Sequence, residues 1–78
     1  MRTTRYFDEQ VMRKRPYLKA RWIEQVLAEP ERTAIQEEES HIRYWAYIQE
    51  LGMYLRVITL MDGTVHNAFP DRNYKRER

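Results

Sequence analysis

Cysteine is absent from the 78-residue chain, so neither a disulfide framework nor a thiolate zinc site can form, and the reducing cytosol is the expected setting. His41 and His66 are the two histidines, too few for a closed all-histidine metal site, and no cofactor is expected. The two glycines, Gly52 and Gly63, leave no room for a Gly-rich phosphate loop, which excludes kinases and dehydrogenases of the usual kind. Ser40, the one serine, lies in an acidic stretch and gives a covalent hydrolase little to work with. No run approaches the ~20 apolar residues of a membrane span, and the opening MRTTRYFDEQ lacks the apolar core of a signal peptide. A cytoplasmic protein with no membrane partner is the expectation.

What is present fits one compact domain over residues 1–78. With 42% hydrophobic residues and so few positions, burial leaves only a small margin over conformational entropy, and a partner protein or a second copy would add stability. Arginine supplies 11 of the 14 basic residues, and their placement matters more than the net charge of +2. Arg2, Arg5, Arg13, Lys14, Arg15, Lys19 and Arg21 load the first third, Glu31 and Glu37 to Glu39 the middle, and the end, DRNYKRER, is basic again. Arginine's planar fork suits phosphate and carboxylate alike, so the pattern fits a nucleic-acid surface or a salt-bridged protein interface.

The periodicity changes at Pro30. Before it, Phe7 to Arg15 reads as a short polar helix capped by Asp8 and stopped at Pro16. Leu18, Trp22, Ile23, Val26 and Leu27 form the apolar stripe of a second helix. After Pro30 the pattern alternates. Arg32 to Glu37 is a short first strand that ends in a solvated turn at the glutamate triplet. His41 to Gln49 points Ile42, Tyr44, Ala46 and Ile48 to the core and His41, Arg43, Trp45 and Tyr47 away from it. Leu51 and Gly52 make a turn, and Met53 to Met61 is the most β-prone run. Asp62-Gly63 is a hairpin signal of type I′ that leads into Thr64 to Phe69, and Pro70 ends that strand. The fold class is α+β, with two N-terminal helices packed on one face of a three- to four-stranded antiparallel sheet.

The other sheet face then carries Arg43, Trp45 and Tyr47 beside Arg56 and His66, with Asn67, Asp71 and Arg72 nearby. Metal-free RNA cleavage needs a base for the 2′-hydroxyl proton, a cation at the phosphate and an acid for the leaving oxygen, which histidine, arginine and tyrosine supply. His66, Arg56 and Arg43 are the candidate catalytic residues. Trp45, Tyr47, Arg72, Tyr74, Lys75 and Arg76 are the candidate RNA-binding residues, the rings holding unstacked bases. The structural alternative makes Trp45 and Tyr47 a covered or dimeric surface, pairs Arg43 and Arg56 with Glu50 or Glu24, and turns NAFPDR into a clasp.

The words KRP at Lys14 to Pro16, LRV at Leu55 to Val57, the turn at Asp62 and HNAFPDR from His66 to Arg72 carry a family resemblance. With the WIEQVL helix between them, the chain from Tyr6 to Tyr74 resembles small domains of the RelE/ParE-type toxin superfamily. The resemblance implies two helices on a twisted antiparallel sheet and the toxin half of a type II toxin-antitoxin pair. A small cognate antitoxin encoded nearby is the implied protein partner. RelE-like members cut mRNA, usually on the ribosome, and ParE-like members poison gyrase. The RelE-like pattern of cations with a tyrosine or histidine on the open sheet face and near the C-terminus corresponds here to Arg43, Arg56, His66, Arg72 and Tyr74. The chain departs from the branch's usual opening, which has a histidine in the first helix, where Asp8, Glu9 and Gln10 stand here. A metal-independent mRNA endoribonuclease is the leading expectation. A non-enzymatic module that inhibits a target such as gyrase, and a structural homodimer, are the alternatives.

Overall fold

The computed structural model describes residues 1–74. The architecture is α+β, two helices and a four-stranded antiparallel sheet of order β1-β2-β3-β4. A π-wound stretch, Phe7–Val11, runs on into the α-helical turn α1, Met12–Lys14, and α2 spans Ala20–Ala28. The strands are β1 (Arg32–Gln36), β2 (His41–Ile48), β3 (Met53–Leu60) and β4 (Val65–Pro70). No helix among the described residues is long and apolar enough to cross a membrane.

The first helical segment is less polar than its sequence suggests. Phe7 and Val11, one turn apart, are both buried and fasten it to the sheet. Its start is capped by Thr4, whose Oγ1 accepts from the Phe7 amide at 3.1 Å, and not by Asp8, which accepts from the Thr3 hydroxyl at 2.7 Å. Its end comes at Arg15, which is forced out of the helical region (φ −128°) by the ring of Pro16. In α2, Trp22, Ile23 and Val26 are buried, with Leu27 packed alongside. Leu18 also enters the core, but from the turn ahead of the helix, which begins at Ala20.

Alternation in β2 and β3 holds as read. Ala46 and Ile48 on β2, and Leu55 and Val57 on β3, are buried beneath the helices, and Tyr44 packs against them. Thr59 is fully buried on the same face, and its hydroxyl donates to the Tyr44 hydroxyl at 3.4 Å. β1 lies at the sheet's edge, and its Ile35 is 60% exposed although it pairs with Ile42 on the core-facing side.

Two turn expectations are corrected. The β3–β4 hairpin is not type I′, since Asp62 does not take the positive φ that a type I′ turn needs; only Gly63 does, at +91°. The loop instead has three residues, Met61 to Gly63, closed by Gly63 N–H to Leu60 O at 3.0 Å and Leu60 N–H to Thr64 O at 2.9 Å. Asp62 folds back to accept from the Thr64 amide at 2.9 Å, which stabilises this longer loop. β2 stops at Ile48, and a four-residue turn follows in which Gly52 (φ +73°) donates to Ile48 O at 2.8 Å.

β4 departs most from simple alternation. A register shift opposite Ile58 and Thr59 inserts one extra residue, so that Val65 pairs with Thr59 while Asn67 pairs with Ile58. Val65 and Ala68, three residues apart, are therefore both fully buried. The Val65 backbone is also held from its outer side, where Arg2 O accepts from its amide and the Thr4 amide donates to its carbonyl, both at 2.9 Å.

Candidate functional site

The sheet face away from the helices carries two separate groups of polar and aromatic residues, because β2 and β3 run antiparallel along its whole length. The start of β2 and the start of β4 share one end, while the end of β2 and the start of β3 share the other.

At the first end the bulge brings His66 out of the core beside His41. Their ring centroids are 5.2 Å apart, and the ring of Tyr6 lies 4.9 Å from His66 on another side. Thr4 Oγ1 and His66 Nδ1 are 3.0 Å apart, a hydrogen bond that fixes the imidazole. Burial, and then the neighbouring His41, lower the pKa of His66 below the ordinary 6.5, so the ring is neutral at neutral pH. Arg43 follows His41 on the same face of β2, opposite Ile58 and one strand from Asn67. Its Nε is the one buried side-chain nitrogen or oxygen without a hydrogen-bond partner among the described residues. An unsatisfied buried donor is costly, and functional sites are where such groups persist.

In the middle of the face, Arg56 is locked. Its Nε and Nη2 both donate to Asp71 Oδ2, at 3.0 and 2.7 Å, and its guanidinium lies over the rings of Trp45 and Phe69 at 5.2 and 5.0 Å. Trp45 Nε1 donates to the same carboxylate oxygen at 2.9 Å. Burial pushes the Asp71 carboxyl up, but the bonds from Trp45 and Arg56 and the arginine's charge outweigh it, and the net shift is downward. The expectation that Arg56 and Arg43 pair with Glu50 or Glu24 is thus corrected. Glu50 binds Lys19, Arg21 and the Trp22 indole N–H instead, because the β2–β3 turn presents it to α2. NAFPDR is a clasp at its Asp71 end.

Trp45 is only 6% exposed, covered by Arg56, by Arg32 at 5.7 Å and by the stacked ring of Tyr74 at 5.5 Å. Tyr74 in turn lies 4.6 Å from Tyr54, and Tyr54 lies 5.5 Å from Tyr47, which is 45% exposed. These rings form a continuous wall at the second end of the face. Arg72 is exposed beyond β4 at that same end, and so is separated from His66 by the length of the strand. Lys75 and Arg76 lie outside the described residues.

Of the residues read as catalytic, His66 stands beside His41 at one end of the face, Arg43 lies two residues further along β2 on that face, and Arg56 belongs to the Asp71 clasp. Sequence reasoning missed Thr4, Tyr6, Tyr54 and Glu31. Thr4 and Tyr6 carry no local signal, because only the pairing of the N-terminal segment with Val65 brings them to the face. Tyr54 was legible from strand parity, since it alternates with Arg56. No family model matches the chain, and no curated protein or solved structure is significantly similar to it.

Proposed function

We propose that the protein is the toxin component of a type II toxin-antitoxin pair, acting in the cytoplasm as a metal-independent mRNA endoribonuclease of RelE type, neutralised by a small cognate antitoxin. The observation that carries the reading is a neutral, fixed His66 beside His41, which stands two residues before Arg43 on the same face of β2, and an Arg43 Nε that is buried without a partner among the described residues. The order of two helices followed by an antiparallel meander supports the RelE/ParE-like arrangement.

In the tautomer that donates Nδ1–H to Thr4 Oγ1, the Nε2 lone pair of His66 is free to take the 2′-hydroxyl proton of the nucleotide before the scissile bond. The 2′ oxygen attacks the phosphorus, and Arg43 stabilises the charge that builds on the phosphoryl oxygens. The 5′ oxygen leaves with a proton from the Tyr6 hydroxyl, giving a 2′,3′-cyclic phosphate and a 5′-hydroxyl end. The His66 ring lies 4.9 Å from Tyr6 and 5.2 Å from His41, a spacing that supports an acid and a base acting on one phosphate. Bases of the bound strand lie along the tyrosine wall, with Trp45 acting as its buried support.

Induced expression in a bacterium, with mRNA 5′-end mapping, tests the reading. Growth arrest with new 5′-hydroxyl ends is expected for the natural chain, with neither for Arg43→Ala or His66→Ala. Arrest with intact RNA would transfer the assignment to a protein-binding inhibitor, and the absence of arrest would leave an interaction domain or homodimer.

A further inference from the structure

We propose that the rim of the sheet at the end of β4 is a docking groove for an acidic segment of a protein partner, taking one apolar side chain between Tyr17, Leu51, Met53 and Pro70 and a carboxylate on Arg15 and Arg72. The groove stands apart from the ribonuclease reading, being built in the same way whether or not the chain cuts RNA.

Its volume is about 470 Å³. Arg15 and Tyr17 line it from the connection between α1 and α2, Pro70 and Arg72 from the end of β4, and Leu51 and Met53 from the β2–β3 turn and the first position of β3. Tyr17 is 48% exposed, and Leu51, Met53 and Pro70 are only partly buried, so the helix layer leaves apolar surface uncovered here. Pro16, between Arg15 and Tyr17, and Pro70 fix the backbone φ on both sides, which shapes the groove before a ligand arrives.

The cations at this rim have no acid of their own. Arg2 pairs with Asp62, Arg5 with Glu9, Arg56 with Asp71, and Lys19 and Arg21 with Glu50. Arg15 and Arg72, and Arg13 and Lys14 in α1, have no ion pair among the described residues. Arg15 is nevertheless held in place, with its guanidinium 5.6 Å from the centroid of the Phe69 ring. A cation–π contact orients the guanidinium without supplying a hydrogen-bond acceptor, and an oriented fork suits a carboxylate, which it engages with two parallel bonds.

The partner does not add a strand to β4. Asp71 N–H donates to Tyr54 O, so alternation turns the backbone groups of Ala68 and Pro70 away from the sheet. The Ala68 amide is taken by Asn67 Oδ1 at 2.9 Å, Pro70 has no amide proton, and Val65 is held by the N-terminal segment. Docking here is therefore through side chains. Nucleic acid is the other polyanion that two arginines attract, but its phosphates would leave Leu51, Met53 and Pro70 without a partner. A peptide covers them with an apolar side chain while its carboxylate stays at the arginines.

The test is an NMR titration of the isotope-labelled full chain with an acetylated hexapeptide amide that alternates glutamate with leucine and phenylalanine. The peptide is expected to shift the Tyr17 ring, the Met53 methyl and the Arg72 amide, with an affinity that falls as salt is raised. Glutamine in place of its glutamates, or alanine in place of its leucine and phenylalanine, should weaken binding ~10-fold or more. Arg15→Gln and Arg72→Gln should each weaken it ~5-fold or more. Arg72 has no side-chain hydrogen bond or ion pair among the described residues, so its variant keeps the test valid where loss of Arg15 unsettles Phe69. Equal binding of the glutamine peptide, unchanged affinity in the Arg72 variant, or no shifts at millimolar peptide would overturn the proposal. Displacement of the peptide by hexauridylate binding more tightly at the same residues would overturn it too, and would give the groove to nucleic acid.

Discussion

The indole N–H of Trp45 and the Arg56 guanidinium converge on one oxygen of Asp71, at 2.9 and 2.7 Å, on the sheet face opposite the helices. The same construction recurs on the helix side of the molecule, where Trp22 Nε1 and Arg21 Nη2 meet Glu50 at 2.6 and 2.7 Å. The two differ in surroundings. Asp71 is buried, whereas the Glu50 side chain is half exposed, so the first is a structural clasp and the second a screened surface contact.

Asp71→Ala leaves the Arg56 charge and the Trp45 N–H without their acceptor in a largely desolvated position. Breaking such a pair costs up to ~3–5 kcal/mol when both partners are fully buried, and the partial exposure of Arg56 brings the expected loss to about 2–3 kcal/mol. Urea unfolding measures it, and a change under ~0.5 kcal/mol, the scale of an ordinary surface substitution, would contradict the clasp.

Arg43 and Arg56 should separate cleanly. Arg43→Met removes a buried nitrogen without a partner, so stability is expected to stay within ~1 kcal/mol or to rise, while RNA cleavage falls by a factor of ~100 or more. Arg56→Met should instead destabilise the chain by stranding Asp71. Measuring melting and cleavage on both variants decides the matter, and the opposite ranking would exchange their roles.

His66 gives the fold a pH dependence near neutrality. Its folded pKa lies below the 6.5 of the unfolded chain, so between the two values the unfolded state binds more protons. The stability linked to this group is complete above pH 6.5 and declines as pH falls through the folded pKa. Urea midpoints at pH 8 and pH 5 should differ in that sense, and His66→Gln should flatten the difference. A His66 titration above 6.5 by NMR would reverse the sign.

Glu50 acts in a lower window. The Trp22 and Arg21 hydrogen bonds bring its pKa from 4.5 down to about 2, so its contribution is present above pH 4.5 and is lost as pH falls toward 2. Glu50→Gln is expected to remove part of the acid sensitivity in that range, read as a shallower fall of the melting temperature. An unchanged slope would mean that the contact with α2 does not persist in solution.

Gly63→Ala tests the hairpin loop. A Cβ at Gly63 meets nothing within 4 Å, so any loss comes from the backbone alone, held at φ +91°. The cost of the left-handed region is ~1–2 kcal/mol for a residue with a side chain, and thermal unfolding of the variant checks it. A neutral substitution would mean that the loop can relax to another turn.

The alternation of β2 and β3 was written in the sequence, because successive strand side chains point to opposite faces and apolar residues occupy every second position from Ile42 to Ile48. The helix stripe from Trp22 to Leu27 and the need for glycine at position 63 were equally local, set by backbone geometry within a few residues. That Phe7 and Val11 fasten the first helix was readable from their spacing of one turn but obscured by the charged residues between them. The Asp71 partner of Arg56, and the lack of one for the Arg43 Nε among the described residues, were not readable. Ion pairing depends on which carboxylate the fold carries to the same place, and Asp71, Glu50 and Glu24 are equivalent as letters. The bulge at His66 likewise depends on how Val65 and Ala68 fit against the core across from Thr59 and Val57. Sequence determined which faces exist, since burial of alternating apolar side chains is a local pattern. Tertiary structure alone decided what stands on the open face: a histidine turned out of the core, an arginine whose Nε has no partner among the described residues, and a glutamate fixed beside two tyrosines, each set by contacts between residues far apart in the chain.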